Sequence, residues 1–157
     1  MKKLNNYTIS EYLKVLGERK PTPGGGSAAA LAGSIGAGLI EMAANYSVGK
    51  SSSKSVEKKI ASIIKKISAI KQELLVLVDK DAEVYELVVK VRKGTVAQQK
   101  AADRQSKAIA KQIMKLCCDG IILAANLVPI GNKNLFQDVE IGVELLSAAY
   151  HGVKILA

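Results

Sequence analysis

The sequence has few aromatic residues: among its 157 residues are no tryptophan, one phenylalanine (Phe136) and five tyrosines. Hydrophobic residues nevertheless make up 48% of the chain. The core must therefore be filled mainly by Ala, Ile, Leu and Val, which favours closely spaced helices. A chain of this length and apolar content can close one hydrophobic core, so we predict a single domain.

Histidine and cysteine are also scarce. His151 is the only histidine, so it has no second imidazole for a zinc site and no plausible partners for a Ser/His/Asp arrangement. Cys117 and Cys118 are adjacent, a spacing that suits neither a mutual disulfide nor a CxxC metal or redox site. We therefore predict no metal site, no cofactor, and reduced thiols in a cytoplasmic protein.

Long apolar runs and basic surfaces with aromatic residues are missing too. The longest apolar run, Ala28 to Ile40, is interrupted by Ser34, and the N-terminal segment 1–14 is polar. The sequence thus predicts no membrane segment and no signal peptide. The net charge is +9, but the lysines lack the interleaved aromatic residues that stack bases. A solvated lysine face or an acidic small molecule explains this charge better than nucleic acid.

Every strong hydrophobic periodicity in the sequence is helical, and no segment alternates as a strand does. Thr8 and Glu11 form a capping-box signal, which predicts a short first helix ending near Gly17. Four more helices are predicted, over residues 27–48, 53–92 and 97–127 and from Asp138 to the C-terminal end. The third would be about 60 Å long, which predicts contact with a partner subunit. The fold class is all-α, a dimeric orthogonal or antiparallel bundle of about five helices.

The run PTPGGGS at residues 21–27 joins a turn to the start of the second helix. Its prolines fix φ, and its three glycines leave backbone N–H groups unshielded. With Ser27 as the predicted cap, the helix would present free N–H groups and its positive dipole end to an anionic or carbonyl-rich ligand. A loop with an N-cap and no ligand is the alternative. Small residues at Ala29, Gly33 and Ala37 then predict a central, closely packed helix.

Two carboxylates stand near the C-terminal end of the long third helix. Counted at 100° per residue, Asp81 falls within the apolar arc of that helix and Asp79 at its edge, so the two do not share a face. A buried carboxyl group either pairs with a basic group or has a raised pKa, and a raised pKa suits a general acid at neutral pH. Asp81 is therefore the better candidate for catalysis, with structural pairing as the alternative.

The PTPGGGS run is followed along the chain by three further motifs: MAANYSVGK at residues 42–50, DKDA at 79–82, and GNKN at 131–134 followed by Asp138. In the order and spacing of these motifs, over about residues 8–155, the chain resembles the formimidoyltetrahydrofolate cyclodeaminase/methenyltetrahydrofolate cyclohydrolase family. The resemblance implies an all-helical, homodimeric, cytosolic folate enzyme. One implied reaction is the cyclisation of 5-formimidoyltetrahydrofolate to 5,10-methenyltetrahydrofolate and ammonia. The other is the hydrolysis of 5,10-methenyltetrahydrofolate to 10-formyltetrahydrofolate. In either case the folate could carry a polyglutamate tail.

The resemblance also implies which residues form the site. Asp81 and Asp138 are the expected catalytic residues, in acid–base or cation-stabilising roles. The expected substrate-binding residues match the motifs of the family and are Gly24, Gly25, Gly26, Ser27, Asn45, Lys50, Asn132 and Asn134.

Four features depart from the family pattern. Glu41 and Gln137 replace other residue types, the fourth helix has no proline over residues 108–114, and the family usually continues beyond Ala157. They leave open an inactive homologue that binds a folate or another metabolite, and, less favoured, a basic helical dimer that binds nucleic acid. We expect residues 1–157 to form one cyclodeaminase/cyclohydrolase-like helical domain that lacks a C-terminal tail.

Overall fold

The computed structural model describes residues 3–157, which form five α-helices and no strand. The helices are α1 (Ile9–Leu16), α2 (Gly25–Asn45), α3 (Lys54–Lys90), α4 (Val96–Leu127) and α5 (Phe136–Lys154). Single 3-10 turns at Leu4–Asn6, Val91–Lys93 and Lys133–Leu135 precede α1, α4 and α5. The predicted all-α class is confirmed.

Local capping signals set several helix starts. Glu11 N–H donates to Thr8 Oγ1 at 3.2 Å and Thr8 N–H donates to Glu11 Oε2 at 2.6 Å, so the predicted capping box is present. Thr95 and Gln98 form a second capping box at α4. The prediction that Ser27 caps α2 was wrong. Gly24 is the N-cap and the helix begins at Gly25, because the glycines extend the helix and Ser27 is fully buried within its first turn.

The central helix is α2, which packs against both α3 and α5. Its backbone comes very close to that of α5: a Cβ on Gly36 would lie 2.6 Å from the carbonyl oxygen of Gly142, and a Cβ on Gly142 would lie 2.8 Å from that of Gly36. A Cβ on Gly33 would lie 3.3–3.4 Å from side-chain atoms of Cys117, Leu74 and Ala149. The small residues of α2 therefore permit the close packing predicted for it.

Gly36→Ala is expected to destabilise the protein, because the added methyl group meets backbone and the two helices must move apart. Overpacking of this kind costs about 1–3 kcal/mol, against a gain of about 1 kcal/mol in helix propensity. Chemical denaturation measures the difference. Gly152→Ala is the matched control: no atom lies within 4 Å of the added Cβ, so it should be neutral or stabilising. Equal stability of the two variants would contradict the close α2–α5 packing.

The apolar composition of α2 follows from this central position. Among the described helices it alone is long and apolar enough to cross a membrane, but 56% of its most apolar 18-residue window is buried within the protein. A core helix passes the same test of length and composition. The apolar residues of α2 are explained by its packing against α3 and α5 in the core.

Candidate active site

The carboxyl group of Asp81 lies against the first turn of α2. It accepts a hydrogen bond from the backbone N–H of Ser27, and a Cβ on Gly26 would lie only 2.1 Å from Asp81 Oδ1. A side chain at position 26 would therefore occupy the space of the carboxyl group. Because the first N–H groups of a helix lack intrahelical partners and carry its positive dipole end, this position favours a negative charge.

The surroundings of Asp81 act on its pKa in opposite directions. Partial burial raises the pKa because it disfavours the charged form, and the Ser27 N–H bond lowers it by stabilising that form. The burial effect is the larger, so the pKa of Asp81 is raised above its ordinary value. Such a carboxyl group can exchange a proton closer to neutral pH than an exposed aspartate can.

Tyr12 completes this part of the site, and it was not predicted from the sequence. The hydroxyl groups of Tyr12 and Ser27 lie 3.0 Å apart in a hydrogen bond, and Tyr12 is only 4% exposed. Burial raises the pKa of Tyr12, and the nearby charge of Asp81 raises it further, while the Ser27 bond lowers it. We call Tyr12, Gly26, Ser27 and Asp81 the Asp81 group.

Asp79 has different surroundings from Asp81, as their spacing predicts, but it is more buried than the helical pattern indicates. It is 8% exposed because the Leu4–Asn6 turn covers it, with Leu4 N–H donating to Asp79 Oδ1. Asp79 Oδ2 is buried and, within residues 3–157, has no hydrogen-bond partner. No sequence signal linked Leu4 to a residue 75 positions away.

Gly24 and Gly25, the N-cap and first residue of α2, lie at the same end of this helix as the Asp81 group. The other predicted residues lie at the C-terminal end of α2, in the loop after it, or between α4 and the first turn of α5. Asn132 N–H donates to Ser47 Oγ at 2.8 Å, and Ser47 Oγ donates to Ala43 O at 2.7 Å, which fixes the α4–α5 loop to the end of α2. Asn132 Oδ1 accepts from Asn134 N–H at 3.1 Å. We call the predicted residues of this region the Asn132 group: Asn45, Lys50, Asn132, Asn134 and Asp138.

The length of α2 separates the two groups. With 21 residues, it is about 30 Å long at 1.5 Å per residue. The Asp81 group lies at its N-terminal end and Asn45, with the loop fixed to Ser47, at its C-terminal end. Within one chain the predicted residues therefore do not form a single site: residues 24–27 lie at one end of α2, and Asn45 and the loop that carries Asn132 lie at the other.

Glu41, one of the departures from the family pattern, does not present a free charge. Its carboxylate forms an ion pair with the ammonium group of Lys71 on α3, and the Glu41 side chain is 15% exposed. The Lys71 carbonyl also accepts a hydrogen bond from Ser34 on α2. Glu41 therefore ties α2 to α3 and leaves the local charge balanced.

The buried cysteine is not a nucleophile at neutral pH. Both are free, with Cys117 buried and Cys118 exposed. Burial raises the pKa of the Cys117 thiol to about 12, so it stays protonated and unreactive. In the described part of the chain no group of three or more His, Cys, Asp or Glu side chains is placed to hold a metal ion.

Comparisons with known proteins agree with the motifs. The sequence profile of the family described as formiminotransferase-cyclodeaminase matches residues 8–156. A methenyltetrahydrofolate cyclohydrolase of Methylorubrum extorquens is 31% identical over 163 residues, which span 95% of this chain and 75% of that protein. A formimidoyltransferase-cyclodeaminase of Gallus gallus is 25% identical over 156 residues, which span 92% of this chain but only 28% of the longer protein.

A solved structure shows the same fold. The crystal structure of a formiminotetrahydrofolate cyclodeaminase from Thermotoga maritima superposes with a TM-score of 0.94 at 27% sequence identity, covering 98% of this chain and 78% of that one. The resemblance predicted from the PTPGGGS, DKDA and GNKN motifs is confirmed.

Proposed function

Because the chain belongs to the formiminotransferase-cyclodeaminase family, we propose that it is a folate one-carbon enzyme of the cyclodeaminase/cyclohydrolase type. It either cyclises 5-formimidoyltetrahydrofolate to 5,10-methenyltetrahydrofolate with release of ammonia, or hydrolyses 5,10-methenyltetrahydrofolate to 10-formyltetrahydrofolate. The observation that carries the proposal is the partly buried Asp81 carboxyl group, held at the N-terminus of α2 with a raised pKa.

Cyclodeamination requires an acid. N10 of the folate attacks the formimidoyl carbon, and the proton of N10 passes to the imine nitrogen, which becomes an amino group. This nitrogen needs one further proton to depart as ammonia while the methenyl cation forms. Asp81 in its protonated form donates a proton to this departing nitrogen, and the resulting carboxylate lies beside the new cation. The raised pKa of Asp81 keeps more of the carboxyl group protonated for this step.

In cyclohydrolysis the same carboxyl group acts as a base instead of an acid. Water adds to the methenyl carbon and gives one proton to the Asp81 carboxylate. The remaining hydroxyl proton then passes to N5 as the bond from this carbon to N5 breaks and the carbonyl group forms. The product carries its formyl group on N10. A carboxylate whose pKa is raised is the stronger base once ionised, so Asp81 suits this role as well.

Product analysis separates the two reactions. The purified protein is incubated with each substrate, and ammonia from the formimidoyl compound and 10-formyltetrahydrofolate from the methenyl compound are measured against buffer alone. Formation of either product above the uncatalysed rate supports the proposal. Folate binding without either product indicates an inactive homologue, and salt-sensitive binding to any DNA duplex without folate binding indicates a nucleic-acid protein.

We further propose a homodimer in which the Asp81 group of one chain meets the Asn132 group of its partner. The two groups lie at opposite ends of α2, so two α2 helices that cross antiparallel about a twofold axis would join them. The outer face of α2 suits such a contact, since Ile35 is 53% exposed and Tyr46, directly after the helix, is 62% exposed. The helix carries no charge except Glu41, which Lys71 pairs.

Ile35→Arg is therefore expected to convert the dimer to a folded monomer and to remove most of the activity, because an arginine in the centre of an apolar interface leaves a charge buried. Light scattering and the product assay measure the two effects. The control is Ile122→Arg on α4, where the wild-type side chain is 59% exposed and the substitution should change neither. A wild-type monomer, or an active Ile35→Arg monomer, would contradict the shared site.

We also propose a cytoplasmic location, a folate substrate with or without a polyglutamate tail, and chemistry without a metal or organic cofactor. The free thiols Cys117 and Cys118 suit a reducing compartment. Lys50 and the net charge of +9 favour an anionic tail. Proton transfers by carboxyl groups suffice for both reactions written above.

A further inference from the structure

We infer that Tyr12 on α1 is a positioning residue for Asp81: its hydroxyl group, bonded to Ser27, fixes the first turn of α2, against which the Asp81 carboxyl group lies. This inference rests on the proposed folate function and deepens it. Because Tyr12 is buried, it acts on the reaction through Asp81 and not through contact with the substrate.

The first helix is attached to the bundle at this point. Tyr12 is the one buried residue of α1, whereas Ile9 and Leu13 of the same helix are exposed. The ring of Tyr12 belongs to the hydrophobic core, and its hydroxyl group lies 3.0 Å from Ser27 Oγ. The buried side chain of α1 therefore ends at the turn of α2 that carries the hydrogen-bond donor of Asp81.

The two hydroxyl groups are not needed to fill this space. Ser27 is fully buried, and among residues 3–157 each of the two hydroxyl groups has the other as its one hydrogen-bond partner. Two apolar side chains of the same shape would stabilise the protein about as well. A hydrogen bond is directional, however, whereas apolar contact is not. The pair therefore contributes a fixed orientation of the turn more than it contributes stability.

The position of the Asp81 carboxyl group depends on this orientation. Ser27 N–H donates a hydrogen bond to it, and Gly26 leaves the space that it fills, since a Cβ at position 26 would lie 2.1 Å from Asp81 Oδ1. Two successive residues of one turn thus contact the same carboxyl group. A movement of the turn moves this group with it, and a misplacement of about 1 Å can lower a reaction rate by about 100-fold.

Few groups other than Tyr12 act on the charge of Asp81. Burial is the largest cause of the raised pKa of Tyr12, and the nearby charge of Asp81 adds to it. The first turn of α2 has no charged side chain, and on α3 the neighbouring Asp79 is bonded to Leu4 N–H. Within residues 3–157 no charged side chain contributes to the pKa of Asp81, which reflects burial and the Ser27 N–H bond.

The test follows the carboxyl carbon of Asp81 by carbon-13 NMR across the pH range, with Asp81→Asn to assign the signal. Tyr12→Phe keeps the ring and removes the hydroxyl group, so the turn is less fixed and the Ser27 N–H bond weakens. Because this bond lowers the pKa of Asp81, the pKa should rise, and kcat should fall by about 10-fold. Tyr150→Phe on α5, whose ring packs edge-on against His151, should change neither.

A double variant separates positioning from stability. Ser27→Ala breaks the same hydrogen bond from the other side, so alone and combined with Tyr12→Phe it should raise the pKa of Asp81 by the same amount. Each single variant leaves one buried hydroxyl group without a partner and loses stability, whereas the double variant leaves none and should regain most of the loss. A purely structural role predicts instead that the pKa returns with the stability.

The outcomes separate this inference from the proposed function. If Tyr12→Phe does not fold, as judged by circular dichroism, the double variant decides, and a wild-type pKa of Asp81 in that protein overturns the inference. An unchanged or lower pKa in folded Tyr12→Phe overturns it as well. Folate turnover by the wild type with either of these results keeps the proposed function and removes Tyr12 from it. A raised pKa in the variants of a wild type without turnover keeps the positioning role and contradicts the enzyme.

Discussion

Asp81→Asn is expected to lower kcat by about 10²–10⁴-fold, the usual contribution of a general acid or base. The amide has nearly the same shape as the carboxyl group and its oxygen can still accept the Ser27 N–H. The substitution therefore removes the exchangeable proton and the negative charge while leaving the first turn of α2 intact. Steady-state rates with both folate substrates measure the loss.

The stability of this variant provides an internal control. Burial raises the pKa of Asp81 in the folded protein. At pH values between the pKa of the unfolded state and that of the folded state, the folded protein therefore binds more protons than the unfolded chain. The free energy of unfolding falls as pH rises through that window. Asp81→Asn removes this penalty, and its thermal midpoint at pH 7 should equal or exceed that of the wild type. A folded, fully active Asp81→Asn protein would remove Asp81 from the mechanism.

A surface carboxylate gives the matched comparison. Asp119 lies on α4 in an exposed pair with Lys115 at 2.6 Å, and Asp119→Asn should leave kcat within about twofold, since exposed ion pairs contribute about 0–1 kcal/mol. The pH dependence then separates the two reactions: activity that falls as pH rises through the pKa of Asp81 indicates the acid of cyclodeamination, and activity that rises indicates the base of cyclohydrolysis.

Mixing two inactive variants is expected to restore activity, which is the second large effect. Asp81→Asn disables the Asp81 group and Asp138→Asn disables the Asn132 group. If each site joins the Asp81 group of one chain to the Asn132 group of its partner, a mixed dimer has one site with both substitutions and one with neither. Random exchange of equal amounts makes half of the dimers mixed, so about a quarter of wild-type activity should return.

The subunits must exchange for this test to be informative, which a tag on one variant and co-purification establish. Addition of wild-type protein to either variant serves as the control for exchange. A mixed dimer that stays inactive would mean that both groups act within the same chain or that only one of them is catalytic, and it would contradict the shared site.

The sequence predicted the helices well where the determining interactions are local. The capping box of Thr8 and Glu11 and the long apolar stripe of α3 involve residues a few positions apart, and both are present in the structure. The start of α2 was misjudged because Ser27 is a common capping residue, whereas its hydroxyl group pairs with Tyr12, 15 positions away.

In the candidate site, too, only features that depend on local sequence could be predicted. Helical periodicity placed Asp81 toward the core and Asp79 at the edge of the apolar arc, but Asp81 is only half-buried and Asp79 is the more buried of the two. The burial of Asp79 depends on Leu4, and the attachment of Asn132 depends on Ser47, 85 positions earlier. Such pairs form only when the helices pack, and no periodicity in the chain encodes them.

Absorbance of 5,10-methenyltetrahydrofolate, followed with wild-type protein and with Asp81→Asn at equal concentration, tests most directly whether this chain performs folate one-carbon chemistry at Asp81. We predict that wild-type protein makes the signal grow from the 5-formimidoyl substrate or decay from the methenyl substrate, while Asp81→Asn stays near the uncatalysed rate. An unchanged signal with both substrates, or equal rates for the two proteins, would contradict it.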